Sequence, residues 1–316
     1  MISFGALNSL AKSDVKNLKN KKAKNKQYNI KNQPEKDEFK RITKSQIKDI
    51  LVTPQIARSD CYLISSLKAL AKSGFGKKLL KKSITSNGDH TEYKVEFNKY
   101  DKSENASYKI KENEEYKNVT GRNDFNITGA VENSTNKLIC EKSDAKPSYL
   151  RLFSKFVYDT KFEGNLASVF MKNLTGKDPI SVGDKGVLPL SLSNKEATVK
   201  LLDEIGNLPI DKHSFVAGSR LLKTSEEIGK THYYVVKKVD NKKKEVHLVN
   251  PRYTDFAKKD WEESFDKTFK QKGLTDEQIK AKKEKLKKDN DICLSYEKFM
   301  DNFRSLVGYK ADMIKK

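Results

Sequence analysis

Cys61 is the residue whose setting first suggests reactive chemistry. The run from Ser59 to Gly74 (SDCYLISSLKALAKSG) predicts a helix over 60–73, with Ser59 and Asp60 as capping candidates and a stop at Ser73-Gly74. Cys61 then falls inside the first turn. Backbone N–H groups there lack intrahelical partners and the macrodipole is positive, so the thiolate is favoured and the thiol pKa is expected to fall. A thiolate is the nucleophile that cysteine hydrolases require. The competing reading is a compact apolar residue at a helix start, a common use of cysteine. Cys140 and Cys293 lack this setting and read as small structural residues.

A nucleophilic thiol needs a base, and the chain has four histidines. His90 and His213 fall in polar stretches that read as loops. His232 and His247 lie in two strand-like runs flanking Asp240-Asn241, which reads as a hairpin turn. A turn centred on Asn241 sets His232 directly opposite Asn250, with Cβ atoms about 4.5–5.5 Å apart on one face. His247, three residues from Asn250, points to the other face. His232 is therefore the expected base and Asn250 the side chain that orients its ring. A register slip of one residue would part them, and a His beside an Asn on a sheet is more often a structural pair.

The elements that must position these residues follow from periodicity. In the helix of Cys61, Leu63, Ile64, Leu67, Leu70 and Ala71 form one apolar stripe. A short helix is expected over 77–83, strands at 93–97 and 106–110, and helices at 147–158 and 166–174, the last ending at Thr175-Gly176. The second half reads differently. A short helix over 198–206 precedes three strand-like runs, SFVAGSRLL, THYYVVKKV and KEVHLVN. Residues 274–290 predict a polar helix opened by a capping box from Thr275 to Gln278, with no stripe wide enough to pack, hence an exposed insertion. SYEKFMDNFRSL reads as a last amphipathic segment. A helix-rich lobe over 46–178 and a β-rich lobe over 179–316 give an expected α+β chain, preceded by a basic, disordered segment over 1–45.

Composition bounds the function. The chain has 316 residues, with 64 Lys and Arg against 43 Asp and Glu and a net charge of +21. Only seven of the basic residues are Arg, and specific readers of bases and phosphates lean on the forked guanidinium. Specific nucleic-acid recognition is therefore not expected, while nonspecific contact with polyanions through the Lys-rich segments is. No apolar run is long enough for a transmembrane helix. The opening residues lack a conventional signal peptide, which implies a cytoplasmic protein or one exported by another route. Three cysteines and four histidines argue against a disulfide scaffold and against a zinc cluster of the usual kind, so no metal site is expected.

The run Gln55-Ile56-Ala57-Arg58-Ser59-Asp60-Cys61-Tyr62-Leu63-Ile64-Ser65-Ser66-Leu67 resembles the nucleophile segment of calpain-type cysteine proteases, with a Gln six positions before the Cys and an Asp directly before it. Glu163-Gly164 and Leu174-Thr175-Gly176 resemble the end of the Cys-bearing lobe. Thr231-His232-Tyr233-Tyr234-Val235-Val236 is similar to the His strand, Val249-Asn250-Pro251 to the Asn motif, and Leu294-Ser295-Tyr296-Glu297-Lys298-Phe299 to the segment closing the core. These come in the family's order over most of the chain.

The resemblance implies a papain-like, two-lobed fold with a cleft between the lobes. It implies endopeptidase activity on proteins or peptides, with Cys61 as nucleophile, His232 as base, Asn250 as its orienting partner and the Gln55 amide as an oxyanion donor. Departures are Ser59 for the usual Gly, Tyr62 for a Trp, and Arg252 for the Trp that shields the His–Asn bond. The separation of 171 residues from Cys61 to His232 also exceeds the roughly 130–150 usual in papain-like enzymes. No EF-hand loop is present, and calcium binding to the core stays an open expectation. The rival expectations are a catalytically weak calpain-fold binding module and a Lys-rich polyanion binder.

Overall fold

In the computed structural model, residues 38–53, 55, 60–98, 105–113, 125–143, 166–183, 194–220, 224–225, 228–252, 266, 269–270, 273–288 and 290–314 are described. The basic run over 16–26, the helix expected at 147–158 and the Glu163-Gly164 pair lie outside them. The described part begins with strand β1 (Lys40–Arg41) and helices α1 (Lys44–Val52), α2 (Cys61–Lys72) and α3 (Gly74–Ser83). Strands β2 (Ile84–Ser86), β3 (Glu92–Phe97) and β4 (Ala106–Lys111) follow, then α4 (Ile127–Ser143), α5 (Leu166–Thr175), β5 (Ile180–Gly183) and α6 (Lys195–Gly206). The remaining elements are β6 (His213–Ser219), β7 (Tyr233–Asp240), β8 (Glu245–Val249), α7 (Asp276–Lys288), β9 (Asp291–Ser295), α8 (Tyr296–Asn302) and β10 (Phe303–Lys310).

The architecture is α+β with two antiparallel sheets. One has four strands in the order β1-β2-β3-β4; the other has six, in the order β5-β10-β6-β7-β8-β9. The six-stranded sheet is covered on both faces, which is why β6 is buried at all seven positions. Val216, Tyr233, Val235, Val307 and Tyr309 pack toward α2 and the small sheet. Phe215, Ala217, Tyr234, Val236 and Leu306 pack toward Leu201, Leu202 and Ile205 of α6 and Phe299 of α8. Gly308 lets β10 lie flush on β6, because a Cβ there would collide with the Ser214 carbonyl.

Helix α2 is buried nearly all round. Ten of its twelve residues are inside, so the single apolar stripe read from the sequence understates its burial. Leu67 and Leu70 are fully buried and each stabilises the fold by about 2–3 kcal/mol. The face turned to the six-stranded sheet also makes polar contacts. Ser65 Oγ donates to the Tyr233 carbonyl at 2.9 Å, and Ser214 Oγ donates to the Ala69 carbonyl at 2.8 Å. Lys72, in the last turn, donates through Nζ to the carbonyls of Val236 (2.9 Å) and Lys237 (2.6 Å). Those carbonyls lie where β7 bulges: the pairing with β8 shifts between Val236 and Lys238, leaving Lys237 as the extra residue. One ammonium thus closes the helix end and satisfies the irregular strand.

Several boundaries differ from the sequence reading. Helix α3 starts at Gly74, immediately after α2, because Ser73 Oγ caps it by accepting from the Gly76 N–H at 3.0 Å. Helix α1 carries an unforeseen capping box between Thr43 and Gln46. The 17-residue helix α4 was also not foreseen. The terminal amphipathic segment divides into two elements. Helix α8 stops at Asn302, and Phe303–Lys310 becomes a central strand, since its Val, Tyr and Phe content suits a doubly buried position. His213 is not in a loop but opens β6 at 1% exposure. Helix α7 does carry its capping box at Thr275 and Gln278, and its Ile279 is buried. Among the described residues, no helix is long and apolar enough to cross a membrane.

Burial, with the Lys237 ammonium as a second cause, lowers Lys72 from 10.5 to about 7. The unfolded chain holds that proton up to its ordinary value, so stability is expected to climb as pH rises from 7 toward 10.5. Thermal unfolding between pH 7 and 9 should show this rise, and Lys72→Met should flatten it.

Candidate active site

Cys61 is the first residue of α2, and Asp60 occupies the N-cap without making a side-chain capping bond. The Asp60 carboxylate is instead close enough to bear on both Cys61 and His232, raising the pKa of each. Its Oδ1 is buried without a hydrogen-bond partner among the described residues. Cys61 Sγ lies 4.0 Å from the Thr231 carbonyl oxygen, toward which its S–H donates. The thiol is therefore brought to the residue immediately before His232. Among the described residues, no hydrogen bond joins the sulfur to the imidazole itself.

His232 and Asn250 do meet: His232 Nε2 lies 3.0 Å from Asn250 Oδ1. Their register is not the one read from the sequence. The turn spans Asn241–Lys244, and Asp240 pairs with Glu245, Val239 with Val246 and Lys238 with His247. Continued unchanged, that register would place His232 and Asn250 on opposite faces. The extra residue Lys237 shifts it, so that Val236 pairs with Leu248 and Val235 with Val249. Parity is restored, and Asn250 lies diagonal to His232 rather than directly across from it.

The same Asn250 oxygen accepts the Arg252 backbone N–H at 3.1 Å. An oxygen already accepting there presents a lone pair to Nε2, so Nε2 carries the proton and donates. Nδ1 is left with the free lone pair, the nitrogen that could take a proton from a thiol. The imidazole is also held from below by the Tyr234 ring, edge to face at 4.9 Å between centroids. Gln55 joins the group through its backbone N–H, which donates to the Pro251 carbonyl at 3.0 Å, and it is buried at 3% exposure. All four residues singled out in the sequence thus belong to one neighbourhood, linked through Thr231 and Pro251.

Two positions were missed. Ser219 grips the His232 backbone on both sides: its Oγ accepts from the His232 N–H at 2.8 Å and its N–H donates to the His232 carbonyl at 2.8 Å. Thr231 has a φ of +52°, unusual for a β-branched residue, and this left-handed turn aims its carbonyl at the thiol. A serine at a strand end gives no sequence signal of such a role. A Thr gives the opposite of the Gly that a left-handed position would advertise.

The electrostatics correct one expectation. Burial pushes the Cys61 thiol up to about 11, against the weaker opposing effects of backbone hydrogen bonding from Tyr233 and Tyr62 and of the Arg252 charge. The thiol is 7% exposed and packs within the core on that side of the sheet, so desolvation of the anion outweighs the helix terminus. Burial likewise lowers His232 to about 4, the Arg252 charge adding to it while Asn250 and Asp60 oppose. The resting pair is a neutral thiol and a neutral imidazole. Both shifts oppose moving the proton from sulfur to nitrogen, so burial disfavours the ion pair.

The unfolded chain protonates this histidine near 6.5 and the folded chain near 4, so the site loses stability as pH falls through that interval. An NMR titration of His232 should place its midpoint near 4. Arg252→Ala should move that midpoint upward, toward 6.5, by removing the positive charge beside the ring. Comparison with protein-family models and with curated proteins returned no match.

Proposed function

We propose that this protein is a calpain-like cysteine endopeptidase of papain-type architecture. A lobe carrying Cys61 and a β-rich lobe carrying His232 and Asn250 would face each other across the substrate cleft. The observation that supports this best is the His232 Nε2–Asn250 Oδ1 bond, which leaves Nδ1 as the base while Cys61 Sγ reaches the adjoining peptide. In the proposed reaction Nδ1 takes the thiol proton as sulfur attacks the scissile carbonyl. The resulting oxyanion is held by the Cys61 backbone N–H and the Gln55 amide. The imidazolium then protonates the leaving amine, giving a thioester that water hydrolyses with His232 again as base. Because the resting pair is neutral, the nucleophile forms by proton transfer during attack, not as a standing ion pair.

Burial of both reacting groups favours a second reading, a binding module built on the same fold. Thiol-directed epoxide labelling separates the two, performed with and without calcium. The protease reading expects covalent modification at Cys61 and cleavage of an unfolded protein, both abolished by Cys61→Ala. Gln55→Ala is expected to lower kcat by about 10²–10³. Activity should fall as pH drops toward 4, where His232 takes a proton and loses its lone pair. An unlabelled Cys61 in a well-folded protein that still retains a partner would favour the binding module.

A further inference from the structure

We infer that Glu245, His247 and Cys293 form a binding site for a borderline-soft divalent transition metal, with Zn²⁺ the ion their donor set suits. These three side chains lie away from the His232–Asn250 pair in sequence role and in facing direction. Alternate residues of β8, Val246 and Leu248, point into the core with Ile292 and Leu294 of β9. Glu245, His247 and Cys293 therefore share the opposite face, the first two separated by two positions on β8 and the third directly across from His247. Among the described residues β9 is the last strand of its sheet, so the cluster sits at the sheet's edge.

The three donors converge on one point. Cys293 Sγ lies 3.7 Å from His247 Nε2, and Glu245 Oε2 lies 3.9 Å from the same nitrogen. All three ligand atoms lie within 4.8 Å of one another. A tetrahedral Zn²⁺ with Zn–S of about 2.3 Å and Zn–N and Zn–O of about 2.1 Å requires S···N near 3.6 Å and N···O near 3.4 Å. The S···N separation of 3.7 Å matches its edge and the N···O separation of 3.9 Å exceeds its edge by about half an ångström, while sulfur and carboxylate, within 4.8 Å of each other, must be drawn together by side-chain rotation of Glu245. A thiolate, an imidazole and a carboxylate exclude the hard ions Mg²⁺ and Ca²⁺, which take oxygen alone.

Charge also balances. Binding releases the thiol proton, and the resulting thiolate with the Glu245 carboxylate neutralises the dication. Lys238 pairs with His247 across β7 and β8, and its ammonium is engaged by Asp240 Oδ2 at 3.3 Å. Three protein ligands leave the fourth position to water, the arrangement of an open site. Glu245 and His247 are about one-third exposed and Cys293 is exposed, so an ion has access.

Co²⁺ titrated into the reduced, metal-free full chain tests this directly. The expected result is one equivalent bound, with a sulfur-to-cobalt charge-transfer band and the intense ligand-field bands of four-coordination, both displaced by Zn²⁺. Cys293→Ser should abolish the charge-transfer band. His247→Ala should weaken binding at least 100-fold, since outer partners of metal ligands alone are worth about 10–100-fold. Cys61→Ala should change neither. All three variants should keep the far-ultraviolet dichroism of the parent. The inference is overturned if the bands persist in Cys293→Ser, if Cys61→Ala removes them, or if Co²⁺ gives only the weak bands of a six-coordinate ion.

Discussion

The contact between α2 and β7 organises the molecule. Along one face of the helix, Cys61, Ser65 and Lys72 each direct a polar group at a main-chain carbonyl of the strand segment that begins at Thr231. A helix so deeply buried could satisfy its other faces with aliphatic packing alone. This face instead meets carbonyls that an apolar surface would strand without partners, at a cost of about 1–3 kcal/mol each. The seam fixes the helix against the strand in translation, and so fixes the sulfur against the imidazole-bearing residue. Ser219 and Thr231 complete the alignment by holding the His232 backbone in a turn the strand itself does not provide.

Burial that builds this seam also sets the electrostatics. The same exclusion of water that makes each hydrogen bond worthwhile raises the energy of any ion placed there. Lys72, His232 and Cys61 all move toward their neutral forms, and His213, buried at the start of β6, is lowered to about 3 for the same leading reason. The helix terminus and the Arg252 charge are too weak to reverse this at sulfur. A nucleophile in such a setting depends on a base with a fixed lone pair, and the shared Asn250 oxygen supplies that by committing the other ring nitrogen to donation.

Much of this was legible in the sequence. Strong periodicity marked α2, α5, α6 and the β7–β8 hairpin, and residue type with spacing marked Cys61, His232 and Asn250. The hairpin was the instructive case. The expected pairing of His232 with Asn250 assumed a turn centred on Asn241, whereas the actual turn and the bulge at Lys237 each displace the register, and their effects on parity offset. A bulge leaves no mark in a run of Val, Lys and Asp. The thiol pKa was misjudged because local helix position is visible in sequence and three-dimensional burial is not. Helix α4 carries Thr, Asn and Ser that mask its period, and the run read as one amphipathic segment conceals the change from α8 to β10 at Phe303. The Glu245–His247–Cys293 cluster joins residues nearly fifty positions apart, a proximity only the β8–β9 pairing creates.

The bulge at Lys237 carries one more consequence, for how the chain can vary in length. Removing a regularly paired residue between Tyr233 and Asp240, with the bulge kept, would exchange inward and outward positions on one side of the cut, whereas removing Lys237, the unpaired extra residue, would leave the alternation intact. Removing or adding two residues would preserve that alternation. In the turn after Asp240, exposed at Lys242 and Lys243, inward and outward positions do not alternate, so a change of length there leaves the strand faces unaltered. Gaps in related chains should therefore collect in the loop and, within the strand, be even-numbered except for a single-residue gap at Lys237.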